Sequence, residues 1–399
     1  MIEKEFPSLK RRAIYLDSAC SALKMRSAID AFREVCEWGG CGGKRTIHII
    51  SQKIEEYYYL ARKRVADLIN STPQEIVFTS GTTDGFNRIA SSLVLKPQSQ
   101  IIVSALEHNS VFLPFYEKSR REKLELSIIP ISDFEIDFNV FEKMISKKTS
   151  VICITMASNI FGGRVDVENL IKISRMKNPH TLIILDAAQY APTHRIDVKK
   201  LDCDVLCFSG HKLGAPYGTG VLYIKKDVMK KILPSYRGGG TVKRISKKGN
   251  KINVQYLEDY KGMEAGVQNY AGAYALSVAM KKISDLGYEE IRKHISSLVK
   301  YAFDKISSNR YIKILGKNLE EGSIVSFTSF NRKFSIKDFE IFASLSKPPL
   351  AFRTGRMCAD LACIYSKINS VVRISFFIYN SQNDIDKFAQ ILEEYTKKI

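Results

Sequence analysis

The segment DVLCFSGHKLGAPYGTGVLYI, residues 204–224, decides the predicted fold. The apolar run DVLCF is typical of a buried strand, the turn SGHK follows it, and GVLYI is typical of another strand after a glycine-rich loop. This pattern places Lys212 at the end of a strand. A partly desolvated amine near cations there could have its pKa lowered enough to form a Schiff base. An isolated lysine is nearly always a solvated surface group, so the prediction depends on neighbouring motifs.

Short apolar runs alternate with helical patterns from about residue 57 to 225, which predicts an α/β fold with a mostly parallel sheet covered by helices. The stretch from Arg237 to Lys251 is predicted to be a loop, and a long helical pattern begins near residue 270. The strand and helix patterns in the last third of the sequence predict a smaller α+β domain. We place a large domain at 14–275 and a small one at 276–399, which also takes segment 1–13. The predicted strands of the large domain are EIVFT, IIVSA, VICIT, TLIIL, DVLCF and GVLYI.

The composition is that of a globular protein, with 45% hydrophobic and 26% charged residues among 399. The charged opening MIEKEFPSLKRRA does not resemble a secretory signal, and no apolar run approaches the ~20 residues of a membrane span, so we expect a cytoplasmic protein. The eight cysteines include no C-x-x-C pair, which argues against a metal site. The net charge of +19 comes from dispersed basic residues, so a scaffold that binds RNA or an acidic protein is the less favoured alternative.

Two further motifs carry candidate functional groups. FTSGTTDGFNRIA, residues 78–90, places Thr82 and Thr83 at a helix N-terminus, which is either an anion site or only a capped helix. TLIILDAAQ, residues 181–189, ends a strand in Asp186, where ligands bind in open α/β sheets. Taken alone, Asp186 is more readily explained as a helix N-cap.

The order and spacing of these segments resemble the class V aminotransferase family of fold-type I pyridoxal-phosphate (PLP) enzymes, and within it the SufS-like cysteine desulfurases. The resemblance runs from YLDSACSAL at 15–23 to RISFFIYN at 373–380. It implies a seven-stranded sheet, a PLP cofactor, a homodimer, and conversion of L-cysteine, or of L-selenocysteine, with sulfur passed to an acceptor protein. Other PLP reactions on this scaffold stay open: selenocysteine lyase, aminotransferase, epimerase or kynureninase-like cleavage. The acceptor and its pathway, whether iron–sulfur cluster assembly or tRNA thiolation, also stay open.

The resemblance assigns roles to individual residues. It makes Lys212 the Schiff-base lysine and Asp186 the partner of the ring nitrogen, which keeps the ring an electron sink. In AFRTGRMCADLA, residues 351–362, Cys358 takes the place of the persulfide-forming nucleophile, while Cys363 is predicted to be structural. Arg373 matches the arginine that clamps the substrate carboxylate. The remaining implied contacts are Gln189 with the ring hydroxyl, His108 stacked on the ring and exchanging protons with substrate, Thr82, Thr83, Ser209 and His211 around the phosphate, Asn159 near ring and substrate, and Arg353 and His48 near the substrate.

Three segments depart from the family pattern. MEAGVQNYAG, residues 263–272, has Val267 where a threonine usually reaches the phosphate held by the partner subunit. We therefore expect one phosphate contact to be missing, so that either cofactor affinity is lower or the Gly266 N–H, Gln268 or a water replaces the lost hydroxyl. YLDSACSAL replaces the usual Y-L-D-N-A-A-T, and HKLGAPYGTG differs from H-K-x-x-G-P-T-G. These changes predict a divergent subfamily with its own acceptor.

Overall fold

The structure is a computed structural model, and it describes residues 2–11, 13–42 and 47–399. Its central element is a seven-stranded sheet with the spatial order β1-β7-β6-β5-β4-β2-β3. Of these seven strands, β7 alone runs antiparallel to its neighbours. The prediction of a seven-stranded, mostly parallel α/β sheet is confirmed. In chain order the strands are β1 (Ile76–Thr79), β2 (Gln100–Ser104), β3 (Glu125–Ile129), β4 (Thr149–Thr155), β5 (Leu182–Asp186), β6 (Val205–Ser209) and β7 (Gly220–Ile224).

Helices cover both faces of this sheet, so its inner strands are apolar on both sides. Successive side chains of a strand point to opposite faces. Leu206 and Phe208 of β6 accordingly pack into one apolar core, while Val205 and Cys207 pack into the other. The helices in the described part of the chain are Ile2–Glu5, Arg26–Trp38, Ile49–Leu68, Thr82–Ser92, Asn109–Glu122, Phe138–Met144, Val167–Lys177, Val198–Leu201, Lys226–Met229, Tyr270–Leu286, Tyr288–Ile306, Ile336–Ser344, Asp360–Tyr365 and Gln382–Thr396.

The segment predicted as a loop from Arg237 to Lys251 is instead largely a β-hairpin. Its strands are β8 (Val242–Lys248) and β9 (Lys251–Tyr256), which pair with each other in antiparallel register. Most of their side chains are exposed. β8 (VKRISKK) does not alternate apolar and polar residues, so it lacks the local signal of a half-buried strand. β9 (KINVQY) does alternate, but it begins at Lys251, the last residue of the predicted loop.

A second, antiparallel sheet lies in the last third of the chain, with the order β10-β11-β13-β12. Its strands are β10 (Lys313–Leu315), β11 (Ile324–Thr328), β12 (Arg353–Gly355) and β13 (Val371–Ser375). Phe6 packs against Phe377 and Tyr379 beside this sheet, as expected if segment 1–13 belongs with the C-terminal part. Helix Tyr270–Leu286 continues across residue 275, and the domain boundary there stays a prediction.

The topology brings functional groups to one edge of the main sheet. Because β1, β2, β4, β5 and β6 are parallel, their carboxyl ends lie at the same edge, where ligands bind in open α/β sheets. Thr82, His108, Asn159, Asp186 and Lys212 each follow or end one of these strands. Within the described ranges, no helix combines the length and the apolar character needed to cross a bilayer.

Candidate active site

Lys212 lies in a short turn, Gly210–Lys212, directly after β6, and its side chain lines a cavity of about 470 Å³. Burial lowers the pKa of this amine to about 8, and the positive charge of Arg373 acts in the same direction. The negative charge of Asp186 opposes the shift. A larger share of Lys212 is therefore the neutral, nucleophilic amine than an ordinary lysine would provide.

Asp186 is the last residue of β5 and is almost fully buried on the wall of the same cavity. One carboxylate oxygen, Oδ1, accepts a hydrogen bond of 2.8 Å from the Ala188 amide. Burial raises the pKa of Asp186, and the charge of Lys212 counteracts this. A cation facing this carboxylate would be favoured for the same electrostatic reason.

His108 caps the helix Asn109–Glu122 and faces the cavity. Its Nδ1 accepts a 3.0 Å hydrogen bond from the Ser110 amide, so the ring proton is on Nε2. Burial lowers the pKa of His108 to about 4, and the charges of Lys212 and Arg373 add to this effect. The ring is therefore neutral at pH 7, with an uncharged face and an Nε2–H donor.

The N-terminus of helix Thr82–Ser92 forms one end of the cavity, where backbone N–H groups favour an anion. Ser209 Oγ accepts a 2.8 Å hydrogen bond from the Thr82 amide and lies 2.7 Å from Thr82 Oγ1. Thr83 Oγ1 lies 2.6 Å from Ser110 Oγ. Nδ1 of His211 is buried and has no hydrogen-bond partner among the residues that the structure describes. A ligand with acceptor oxygens would supply the partner that His211 Nδ1 lacks.

Arg373 lies on β13 with 2% of its surface exposed, and it reaches the cavity from the second sheet. Its Nη1 donates to the Asn159 carbonyl at 2.7 Å and its Nη2 donates to Asp17 Oδ1 at 3.1 Å. Within the described part of the chain its Nε has no partner. Arg353 donates to the same Asp17 carboxylate through Nε and, at 2.8 Å, through Nη2. Asp17 therefore joins the two arginines that the sequence predicts to contact substrate.

Cys358 is an exposed thiol on the loop between β12 and the helix Asp360–Tyr365. Both Met357 and Cys358 have left-handed backbone angles, with φ of 57° and 53°. Two hydrogen bonds hold this turn: Asn109 N donates to the Cys358 carbonyl at 2.7 Å, and Asn159 Nδ2 donates to the Met357 carbonyl at 2.7 Å. Cys363 is buried, as predicted, and burial raises its pKa to about 11.

Most of the residues predicted for the site share the cavity, and two do not. Gly266 lies outside it, and so does exposed His48, which instead caps the helix Ile49–Leu68 by accepting from the Ser51 amide at 3.1 Å. The residues brought together are Thr82, Thr83, His108, Asn159, Asp186, Gln189, Ser209, His211, Lys212, Arg353, Cys358 and Arg373.

Sequence reasoning missed three contributors. Asp17 and Cys20 both lie in YLDSACSAL, the segment already noted for its unusual composition, and Ser110 lies two residues after His108. The signal that could have identified Cys20 is the cysteine itself, which stands where the family pattern Y-L-D-N-A-A-T has an alanine. Asp17 had no local signal because its partners are 336 and 356 residues away in sequence.

Comparison with known proteins assigns the fold and site to a family, because residues 14–388 match the model of aminotransferase class-V. The chain belongs to the class-V aminotransferase family. Among its class-V relatives, a probable cysteine desulfurase of Borreliella burgdorferi is 34% identical over 100% of this chain and 96% of its own length. A cysteine desulfurase of Wigglesworthia glossinidia brevipalpis is 31% identical over 99% of this chain and 97% of its own. The apo cysteine desulfurase structure from Thermococcus onnurineus superposes with a TM-score of 0.92 at 30% identity, covering 100% of this chain and 98% of the other.

Proposed function

We propose that this protein is a PLP-dependent cysteine desulfurase that converts L-cysteine to L-alanine and retains the sulfur as a persulfide on Cys358. The observation that carries the proposal is that one cavity is lined by a half-buried lysine, Lys212, a buried guanidinium, Arg373, and an exposed thiol, Cys358. The relatives that share this fold over their whole length are named for the same reaction.

The donor set of the cavity fits PLP. Asp186 offers a buried carboxylate to a protonated ring nitrogen, and the neutral ring of His108 offers a surface for stacking. At the other end, the N-terminus of helix Thr82–Ser92 and the unpartnered Nδ1 of His211 suit a phosphate. When bound, PLP supplies an aldehyde that condenses with an amine and a ring that withdraws electrons from the substrate Cα.

The two arginines orient the substrate through its carboxylate. Among the described residues, Nε of Arg373 has no acceptor for its N–H, and a carboxylate is the ligand that best matches a guanidinium fork. Asp17 already occupies Nη2 of Arg373 and holds Arg353 beside it, so the guanidinium planes are fixed before substrate arrives. This arrangement favours α-amino acids over amines without a carboxylate.

Lys212 and Cys358 act in two different steps of the reaction. The amine of Lys212, with its lowered pKa, removes the proton from Cα of the bound amino acid. The thiolate of Cys358 attacks the substrate sulfur, so a sulfur–sulfur bond forms as the carbon–sulfur bond breaks. The electron pair of the broken bond stays on the carbon skeleton, which takes up protons to become alanine. No external oxidant or reductant is needed for this step.

The proposal includes a homodimer. Gly266 and Val267 lie outside this chain's cavity, and Val267 is 76% exposed in a single subunit. Family resemblance implies that this segment reaches the phosphate site of a partner. A two-fold symmetric pair would place both segments in this way.

The proposal also includes a sulfur-acceptor protein. Cys358 lines a second, outer cavity of about 890 Å³, in addition to the inner one. Arg88, Arg121 and Tyr236 contribute to its wall. An acceptor thiol that entered this outer cavity would reach the persulfide without passing Lys212. Cytoplasmic location stays a prediction from the sequence.

The first experiment reduces the PLP-loaded enzyme with borohydride and maps the modified peptide, with an adduct expected at Lys212. The second adds L-cysteine under a thiol reductant and measures alanine and sulfide in the same tube, expecting equal amounts. Cys358→Ala should retain the cofactor absorbance and lose sulfide release, whereas the matched control Cys36→Ala, at another exposed thiol, should retain both. An adduct elsewhere overturns the role of Lys212, and sulfide release by Cys358→Ala overturns the nucleophile.

A further inference from the structure

A second thiol, Cys20, lines the same cavity as Cys358. It is partly exposed there and stands where the family pattern Y-L-D-N-A-A-T has an alanine. The proposed reaction makes no use of it. A cysteine that replaces a methyl group at the wall of a sulfur-handling cavity adds a second nucleophile of the same kind.

Hydrogen bonds connect the segments that carry the two thiols. The Cys20 amide donates to the Asp17 carbonyl at 3.0 Å, which closes a turn and folds Cys20 back toward Asp17. The Asp17 carboxylate accepts from Arg353 at 2.8 Å, and Arg353 begins the strand and loop that end at Cys358. One ion pair thus ties the turn of Cys20 to the loop of Cys358.

Two amines, those of Lys24 and Lys212, interact electrostatically with Cys20. Burial lowers the pKa of Lys24 to about 8, and a thiolate at Cys20 opposes that shift. At Lys212, burial also dominates, and Asp186, Cys20 and Cys358 all act against it. A sulfur anion on either cysteine therefore faces the same amine.

The cavity that both thiols line also offers a position for an anion at Arg373. Nε of Arg373 is buried, and within the described part of the chain it has no hydrogen-bond partner. Arg373 lines the cavity together with both cysteines. An anion that accepts a hydrogen bond from Nε of Arg373, such as the carboxylate of an amino acid, is thereby held in the cavity that both cysteines line.

We propose that Cys20 is a second sulfur-carrying residue, which takes the terminal sulfur of the Cys358 persulfide by thiol–persulfide exchange. This inference rests on the proposed desulfurase function. The thiolate of Cys20 attacks the terminal sulfur, a new sulfur–sulfur bond forms at Cys20, and the bond to the Cys358 sulfur breaks. Cys358 leaves as a thiolate and the hydrogen stays on the transferred sulfur, now bonded to Cys20, so atoms, charge and electrons balance. The exchange frees Cys358 for another turnover before an acceptor arrives.

The test uses the PLP-loaded wild-type enzyme and excess L-cysteine without reductant. After the thiols and persulfides are alkylated, mass spectrometry of the peptides locates each added sulfur, and alanine is measured in parallel. The proposal expects added sulfur on Cys358 and Cys20, with about two sulfurs per chain. The more exposed thiols Cys36 and Cys41 are internal controls and should carry none.

Two variants give the order of transfer. In Cys20→Ala, Cys358 should still acquire sulfur, and the total should fall from about two toward one per chain. In Cys358→Ala, Cys20 should acquire none, because its sulfur comes through Cys358. Sulfur on Cys20 in that variant, or equal labelling of Cys36 and Cys41, overturns the exchange.

The two proposals fail in distinguishable ways. If alanine forms and Cys358 carries sulfur while wild-type Cys20 stays bare, only the exchange is wrong. If no alanine forms and neither cysteine gains sulfur, the proposed function is wrong, and the exchange is wrong with it.

Discussion

Lys212 provides a quantitative test of the site's electrostatics through the pH dependence of cofactor capture. An ordinary lysine has a pKa of 10.5, whereas burial lowers that of Lys212 to about 8. At pH 7 the neutral amine is then about one molecule in ten rather than about one in 3,000. We expect the apoenzyme to capture PLP about 300-fold faster at pH 7 than an equally accessible, unshifted lysine would.

Two neighbouring charges should move this titration in opposite directions. Asp186 raises the pKa of Lys212 against the larger effect of burial, whereas Arg373 lowers it in the same direction as burial. Asp186→Asn should therefore shift the inflection of the capture rate below pH 8, and Arg373→Met should shift it above. Opposite shifts are more diagnostic than either alone, because a general loosening of the cavity would move both variants the same way.

The assay mixes apoenzyme with PLP at a series of pH values and follows the visible absorbance of the bound cofactor. A free model amine, measured in parallel, corrects for the ionisation of PLP itself. Lys212→Ala gives the background from other lysines. An inflection near the ordinary lysine value in the wild type, or shifts of the same sign in both variants, would refute the electrostatic reasoning.

Three further predictions concern packing and cofactor contacts. Asp17→Ala should lower the stability of the apoenzyme by about 3 kcal/mol in urea denaturation, because it leaves buried Arg373 without a counter-ion, and adding Arg373→Met should restore most of the loss. Equal instability of single and double variants would contradict this. Glu264 pairs with buried Arg62 at 2.7 Å and also accepts from the Phe78 amide, so Glu264→Gln should lower the melting temperature more than the exposed control Glu258→Gln does. Val267→Thr should tighten PLP binding about five-fold in equilibrium dialysis, since one hydrogen bond contributes about 1 kcal/mol, and unchanged affinity would argue against a phosphate contact at this position.

Much of the main sheet could be predicted because its strands carry strong local signals. Each of GVLYI, VICIT and DVLCF is a short apolar run bounded by turn residues, and burial on both faces makes such runs continuous. The hairpin β8–β9 lacks this signal, because its lysines and asparagine are solvated on both faces. Its strands are defined by pairing with each other, which local composition does not reveal.

The candidate site likewise contains residues that local sequence signals predict and residues that they do not. Lys212, Asp186 and His108 each end or follow a predicted strand, so the rule that the carboxyl ends of parallel strands share an edge predicts from the sequence that they lie together. The hydrogen bonds from Arg353 and Arg373 to Asp17 depend on the packing of the second sheet against the N-terminal stretch around Asp17. His48 and Gly266 lie outside the cavity of one chain, and their predicted roles require a partner subunit.

The way the Cys358 loop is held constrains the route of the sulfur. Hydrogen bonds from Asn109 and Asn159 fix the carbonyls of Cys358 and Met357, and Asp17 fixes Arg353 at the start of the loop. A loop held at three points costs little further entropy when substrate binds, but its thiol has a short reach. The sulfur must therefore be collected and delivered close to one position, which is the boundary between the inner and outer cavities. The thiol of a separate acceptor protein has to enter the outer cavity, because the Cys358 sulfur cannot travel far to meet it, whereas Cys20, the acceptor proposed within this chain, already lines the inner cavity.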